Sequence, residues 1–184
     1  MTSPLTPHSS GNALPSRQSL SRQSGLHRVI SHLTESLQQD MLVRQTVYPL
    51  QTSLQVDRIV LYHFYRPWKG QVTYEALSDG RYSILGSTGA DDCFNDEYAD
   101  LYLTGRIRAI ADVNREPIHE CHRAFLQSLQ IKANLVVPVL TASGLWGLLI
   151  AHHCRSAHPW TDWEIEQMQK GAEALAAAPS IRAS

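Results

Sequence analysis

Long apolar runs are missing from this chain. No stretch of 18 apolar residues occurs among its 184, so no segment reads as a membrane span. Charge of one sign is missing too. Sixteen basic residues stand against 17 acidic ones, which leaves no surplus for a polyanion and argues against nucleic-acid binding. The N-terminus is polar and Ser-rich and lacks the apolar centre of a secretion signal. Three cysteines are too few for a disulfide scaffold, so a reducing, cytoplasmic setting is the expectation. GxGxxG, P-loop, HExxH and GxSxG patterns do not occur, and nothing marks the chain as an enzyme.

What is present suffices for one domain with a core, since 43% of the residues are hydrophobic. Residues 1–24 are rich in Ser and Pro and bury too little to offset ordering entropy, so a disordered tail is expected there. A domain follows over 25–178, with a short tail at 179–184. Leu26, Val29, Ile30, Leu33, Leu37 and Met41 recur at steps of three and four, one stripe of a helix. Val47, Leu50 and Leu54 extend it, and Pro49, lacking an N–H, is expected to bend or restart it. A helix this long at a domain edge packs on the core or pairs with a second copy, which makes a homodimer through the terminal helices an expectation.

Residues 57–65 are β-branched and aromatic, a strand, and 71–77 form its hairpin partner across a turn at 67–70. A short helix at 95–104 ends at Gly105, and 106–113 hold a strand and its connection. Another short helix spans 121–130. Residues 133–140 and 145–154 are two apolar runs joined through Gly144, too apolar for a sheet with one wet face. Thr161 and Glu164 form a capping box for a last helix that runs to about Ala178, where Pro179 stops it. The order predicts an α+β fold, a central antiparallel sheet sandwiched by helices.

Cys93 follows Asp91 and Asp92 and precedes Phe94. Neighbouring carboxylates raise a thiol pKa, so Cys93 is no standing thiolate, and an ordinary loop thiol is the plain reading. Cys121 opens a predicted helix beside His119 and His122, both influences that favour the thiolate. No third group is visible for a hydrolytic dyad. Cys93, His119, Cys121 and His122 have the atoms for zinc but no CxxC or HxxxH spacing, so no metal is expected. Cys154 reads as a buried structural thiol. His152 and His153 end a strand whose side chains alternate, so one faces the ligand side of the sheet and the other does not. Arg106 and Arg108 are two apart on a predicted strand, a shared face suited to paired carboxylates or to solvent.

Asp91-x-Cys93-Phe94 followed by Cys121-His122 resembles the two-cysteine signature of cyanobacteriochromes, GAF domains that hold a linear tetrapyrrole (bilin). The strand at 57–64, Gly105-Arg106 with 109–112, the segment 121–126 and the closing strands at 133–140 and 145–153 are also similar to that family. The likeness covers about residues 30–177. It implies a GAF fold and a non-enzymatic photoreceptor for blue and green light. The cofactor it implies is phycocyanobilin or its isomer phycoviolobilin, attached covalently.

Carried over by position, Cys121 would form the stable thioether to ring A and His122 would pack on the pyrrole rings. Asp91 would accept from pyrrole nitrogens, Arg106 would pair with a propionate, and His152 would lie near ring D. Cys93, followed by Phe94, would add reversibly to the central methine carbon, splitting the conjugated system and moving absorption to the blue. Light would turn ring D and release that second thioether. Output would then pass through a downstream signalling partner or a fused output domain. Where the family reads Leu-Ser-Pro-Cys-His, this chain has Ile118-His119-Glu120-Cys121-His122, which changes the surroundings of Cys121. Two other readings stand beside this one, a GAF domain for a non-bilin small molecule and a thiol redox sensor using Cys93 and Cys121.

Overall fold

A computed structural model describes the backbone over residues 17–89 and 96–184, and the side chains over 25–89 and 100–184. Asp91, Cys93 and Phe94 lie outside the described residues. Two helices come first, α1 (Arg17–Gln39) and α2 (Met41–Ser53), followed by the hairpin β1 (Arg58–Arg66) and β2 (Lys69–Leu77). A 3-10 turn (Gly80–Tyr82), α3 (Asp96–Leu103), β3 (Arg108–Ile110) and α4 (Glu120–Ser128) come next. The chain closes with β4 (Ala133–Thr141), β5 (Gly144–His153), α5 (Asp162–Ala176) and α6 (Pro179–Arg182). The strands form one antiparallel sheet in the order β2-β1-β5-β4-β3, so the two long apolar runs sit at and beside its centre.

Alternation assigns each strand residue to one of two faces. Ile59 and Leu61, Leu135 and Val137, and Leu149 and Ala151 pack with Val43, Val47, Met168 and Leu175 of α2 and α5 in the main core. Val60, Tyr62, Val136 and Leu148 point the other way and meet Tyr102 of α3. On that second side, Leu126 of α4 packs with Ile110 and Ile131. Both faces are covered, as the apolar runs required.

The helix break falls at Asp40, not at Pro49. The Asp40 carboxylate accepts from the backbone N–H of Leu42 at 2.9 Å and starts a new helix. Pro49 stays inside α2 on its exposed side, where the carbonyl that loses its partner can turn to water. Two tail expectations also change. Helix α1 already begins at Arg17. Pro179 ends one helix by opening the next, at the first turn of α6, and Ile181 of that turn is buried. Ser184 then accepts a hydrogen bond at 2.7 Å from the indole N–H of Trp146.

Candidate functional site

The second face of the sheet and α4 enclose a cavity whose empty space, counted out to its solvent-open mouth, is about 690 Å³. Its walls are mainly apolar, from Val60, Val72, Val136, Leu148 and Ile150 among others, with Arg108, His122, Asn134 and His152 among the polar members. Tyr62 closes one side. Its hydroxyl donates to the Gly70 carbonyl at 2.7 Å and accepts from the Gly89 N–H at 2.8 Å, which anchors the loop after β2. A side chain at Gly89 would bring its first carbon to 2.6 Å from that hydroxyl, so the close approach needs glycine.

His152 is the member of the histidine pair that faces the cavity, where alternation required one of the two. It is buried, and burial, with the charge of Arg58 adding to it, pushes its imidazole well below the ordinary histidine pKa. Arg58 is itself only 1% exposed, and three acceptors make that placement tolerable. Its Nε donates to His152 Nδ1 at 2.8 Å, Nη1 to the Tyr82 carbonyl at 2.7 Å and Nη2 to the Leu129 carbonyl at 2.8 Å. One guanidinium thus ties β1 to β5, to the 3-10 turn and to the end of α4. His153 turns to the opposite side and stacks on His158 and Trp160, with centroids 4.2 and 5.3 Å away.

His119 supplies the cap of α4, its Nδ1 accepting from the Cys121 N–H at 3.2 Å. Cys121 lies exposed in the first turn and is disulfide-bonded, a state that the low cysteine count did not suggest. One residue on, His122 turns inward to the cavity wall, and burial, reinforced by Arg108, holds it below the usual imidazole pKa. Cys154 is a buried free thiol pushed up by burial.

Arg106 and Arg108 do not share a strand face, because β3 begins only at Arg108. Gly105, at φ +87°, closes α3: its N–H meets the Tyr102 carbonyl and the Arg106 N–H meets the Leu101 carbonyl. Arg106 leaves that turn half-buried, near enough to act on the Tyr102 phenol, while Arg108 lines the cavity and pairs with Glu116 at 2.6 Å. Arg58 and Asn134 were missed by sequence reasoning, and Arg108 was read there only as sharing a face with Arg106. The signal for Arg58 and Asn134 was present, a polar residue at an inward position of an apolar strand. Among the described residues no three His, Cys, Asp or Glu side chains gather closely enough to hold a metal ion.

A GAF-domain family model matches residues 39–178, and the chain belongs to the GAF domain family. It is 45% identical over 151 residues to an uncharacterized protein of Picosynechococcus sp. PCC 7002, an alignment covering 82% of this chain and 93% of that one. It is 32% identical over 176 residues to the circadian input-output histidine kinase CikA of Synechocystis sp. PCC 6803, covering 83% of this chain but only 24% of the kinase. Among solved structures, the blue-light absorbing form of the Thermosynechococcus elongatus PixJ GAF domain superposes with a TM-score of 0.65 at 30% identity, over 81% of this chain and 86% of that one. A phycocyanobilin-bound GAF domain from a cyanobacterial phytochrome gives 0.67 at 25% identity, over 89% and 93%. The fold is a GAF domain of the cyanobacteriochrome-like kind.

Proposed function

We propose that this chain is a light sensor that binds a linear tetrapyrrole in the cavity between the sheet and α4. One observation carries the reading. Cys121 stands at the first turn of α4, and the next residue, His122, lines a mainly apolar cavity whose far wall presents His152 and Asn134. That donor set suits a long, flat, mostly apolar molecule with a few N–H and C=O groups. The similar GAF domains solved in a blue-light absorbing form and in a phycocyanobilin-bound form support it. The bound bilin would supply a conjugated system whose length sets the colour and a double bond that light can turn.

In this reading Cys121 is the permanent attachment point, its S–H adding across a bilin double bond with the proton passing to carbon. Cys93, preceded by Asp91 and followed by Phe94, is the reversible second thiol, phycocyanobilin or phycoviolobilin is the pigment, and the colours are blue and green. Arg106 is the propionate partner. The chain catalyses no reaction of its own and works in the cytoplasm. No helix among the described residues is long and apolar enough to cross a membrane. Signal output through a second copy, a fused domain or a separate partner belongs to the same proposal.

The test is co-expression with bilin-synthesis enzymes, followed by absorption spectra before and after blue light. A blue band that converts reversibly to longer wavelength is the expected result. A colourless protein, with no zinc-enhanced fluorescence on a denaturing gel, would overturn it. The disulfide at Cys121 favours the second reading, a thiol redox sensor. That reading gains if the chain stays colourless while its thiol count changes with a mild oxidant.

A further inference from the structure

On the far side of the sheet from His152, two histidines lie ring against ring. His153 ends β5, and His158 comes from the loop that joins β5 to α5. Their centroids are 4.2 Å apart, and Trp160 of the same loop stands 5.3 Å from His153 and 5.0 Å from His158. Two hydrogen bonds hold this loop to β3 and its end. The His158 backbone N–H donates to the Ala111 carbonyl at 2.8 Å, and the Trp160 indole N–H donates to the Ile110 carbonyl at 3.1 Å. β3 is the edge strand that brings Arg108 to the cavity wall.

The two rings meet a proton differently. His158 Nε2 faces the Glu164 carboxylate at 2.7 Å, so a proton there has an acceptor. His153 Nε2 is buried and has no hydrogen-bond partner among the described residues. An imidazolium carries N–H on both nitrogens, so charging His153 would leave a buried donor unmatched and set a cation against the neighbouring ring. Burial opposes that charge most, and His158 and Arg155 add to it, while Asp57 and Glu164 favour it. The balance holds the His153 pKa below the ordinary histidine value. Both acids are already engaged, Asp57 by Arg155 at 2.9 Å and by the Cys154 N–H at 2.8 Å, and Glu164 by Thr161 and His158.

We propose that the stacked pair is an acid-operated latch: with His153 neutral it holds the β5–α5 loop against β3, and with both rings protonated it lets the loop go. Released, His153 regains water around Nε2 and binds its proton more readily. The latch is therefore closed above about pH 6.5 and weakens as pH falls below it. Opening frees the cavity's edge strand and the start of α5 together, whatever ligand the cavity takes.

Hydrogen exchange on the full chain tests this, with protection corrected to the free-peptide rate at each pH. Between about pH 7.5 and about pH 5, the His158 amide and the Trp160 indole N–H should lose about tenfold or more of their protection, while the Leu149 amide at the sheet centre keeps its own. Constant protection at His158 and Trp160, or an equal loss at Leu149, would overturn the latch. His153→Phe keeps a stacking ring that takes no proton, so its Trp160 indole should stay protected across that range. A loss as large as in wild type would place the switch elsewhere and sink the inference. Should that variant fail to fold, His158→Gln carries the test, because it keeps a donor to Glu164 without the second ring charge. Its acid loss should shrink several-fold, and an undiminished loss would equally overturn the latch.

Discussion

Asp40 and Ser180, 140 positions apart, meet across the domain. One Asp40 oxygen caps α2, and the other accepts the Ser180 backbone N–H at 2.9 Å and its hydroxyl at 2.8 Å. Burial pushes this carboxyl up, but the hydrogen bonds from Ser180 and from the first turn of α2 outweigh it and hold the pKa below the ordinary aspartate value. Asp40→Ala should cost about 2 kcal/mol, one cap plus the charge-assisted contacts, and lower the melting temperature by about 4–8 °C. The sign in pH follows from the lowered pKa. The contribution is complete above the unfolded-state value and disappears as pH falls through the folded one. The gap between variant and wild type should therefore close in acid. An equal gap at pH 7 and pH 2 would contradict the charged contact.

Gly147 lies where β5 crosses β1, paired with His63. A Cβ there would stand 2.1 Å from the Tyr62 carbonyl oxygen, a backbone atom that cannot move without parting the strands. Gly147→Ala should destabilise by about 3 kcal/mol or more, read from urea unfolding. A loss below 1 kcal/mol would mean the strands yield freely.

The cap of α5 gives a smaller effect. Thr161 and Glu164 exchange hydrogen bonds as a capping box, and His158 Nε2 lies 2.7 Å from the same carboxylate. Thr161→Ala should cost about 1 kcal/mol, a drop of about 2–4 °C. No change in melting temperature would show that water replaces the threonine without loss.

Pigment attachment separates the two cysteines. Cys121→Ala should lose nearly all pigment that survives denaturation, whereas Cys93→Ala should keep it but lose the blue-absorbing form. A Cys93→Ala protein with its blue band intact would remove the second-thioether role.

Because Cys121 is disulfide-bonded, it must be a free thiol before it can add to a bilin. Covalent loading in vitro should rise several-fold when the protein is first treated with a thiol reductant. Loading that is indifferent to reductant would mean the disulfide plays no part in attachment.

The strands and helices were legible because their apolar residues repeat at periods of two and 3.6, a local property of the chain. So was the rule that only one of His152 and His153 faces the cavity, since neighbours on a strand must face opposite ways. The helix break was misplaced because Pro49 is a strong local signal, while Asp40 gains half its partners from Ser180 at the far end of the chain.

Strands, covering helices and the capping box were readable from spacing within single segments, and the family from motifs spread over several of them. Three facts came from the assembled sheet alone: Arg58 reaches His152, Asn134 sits opposite it, and Arg108 lines the cavity. Those facts depend on strand register and on where β3 begins, and hydrogen bonding between distant segments sets both.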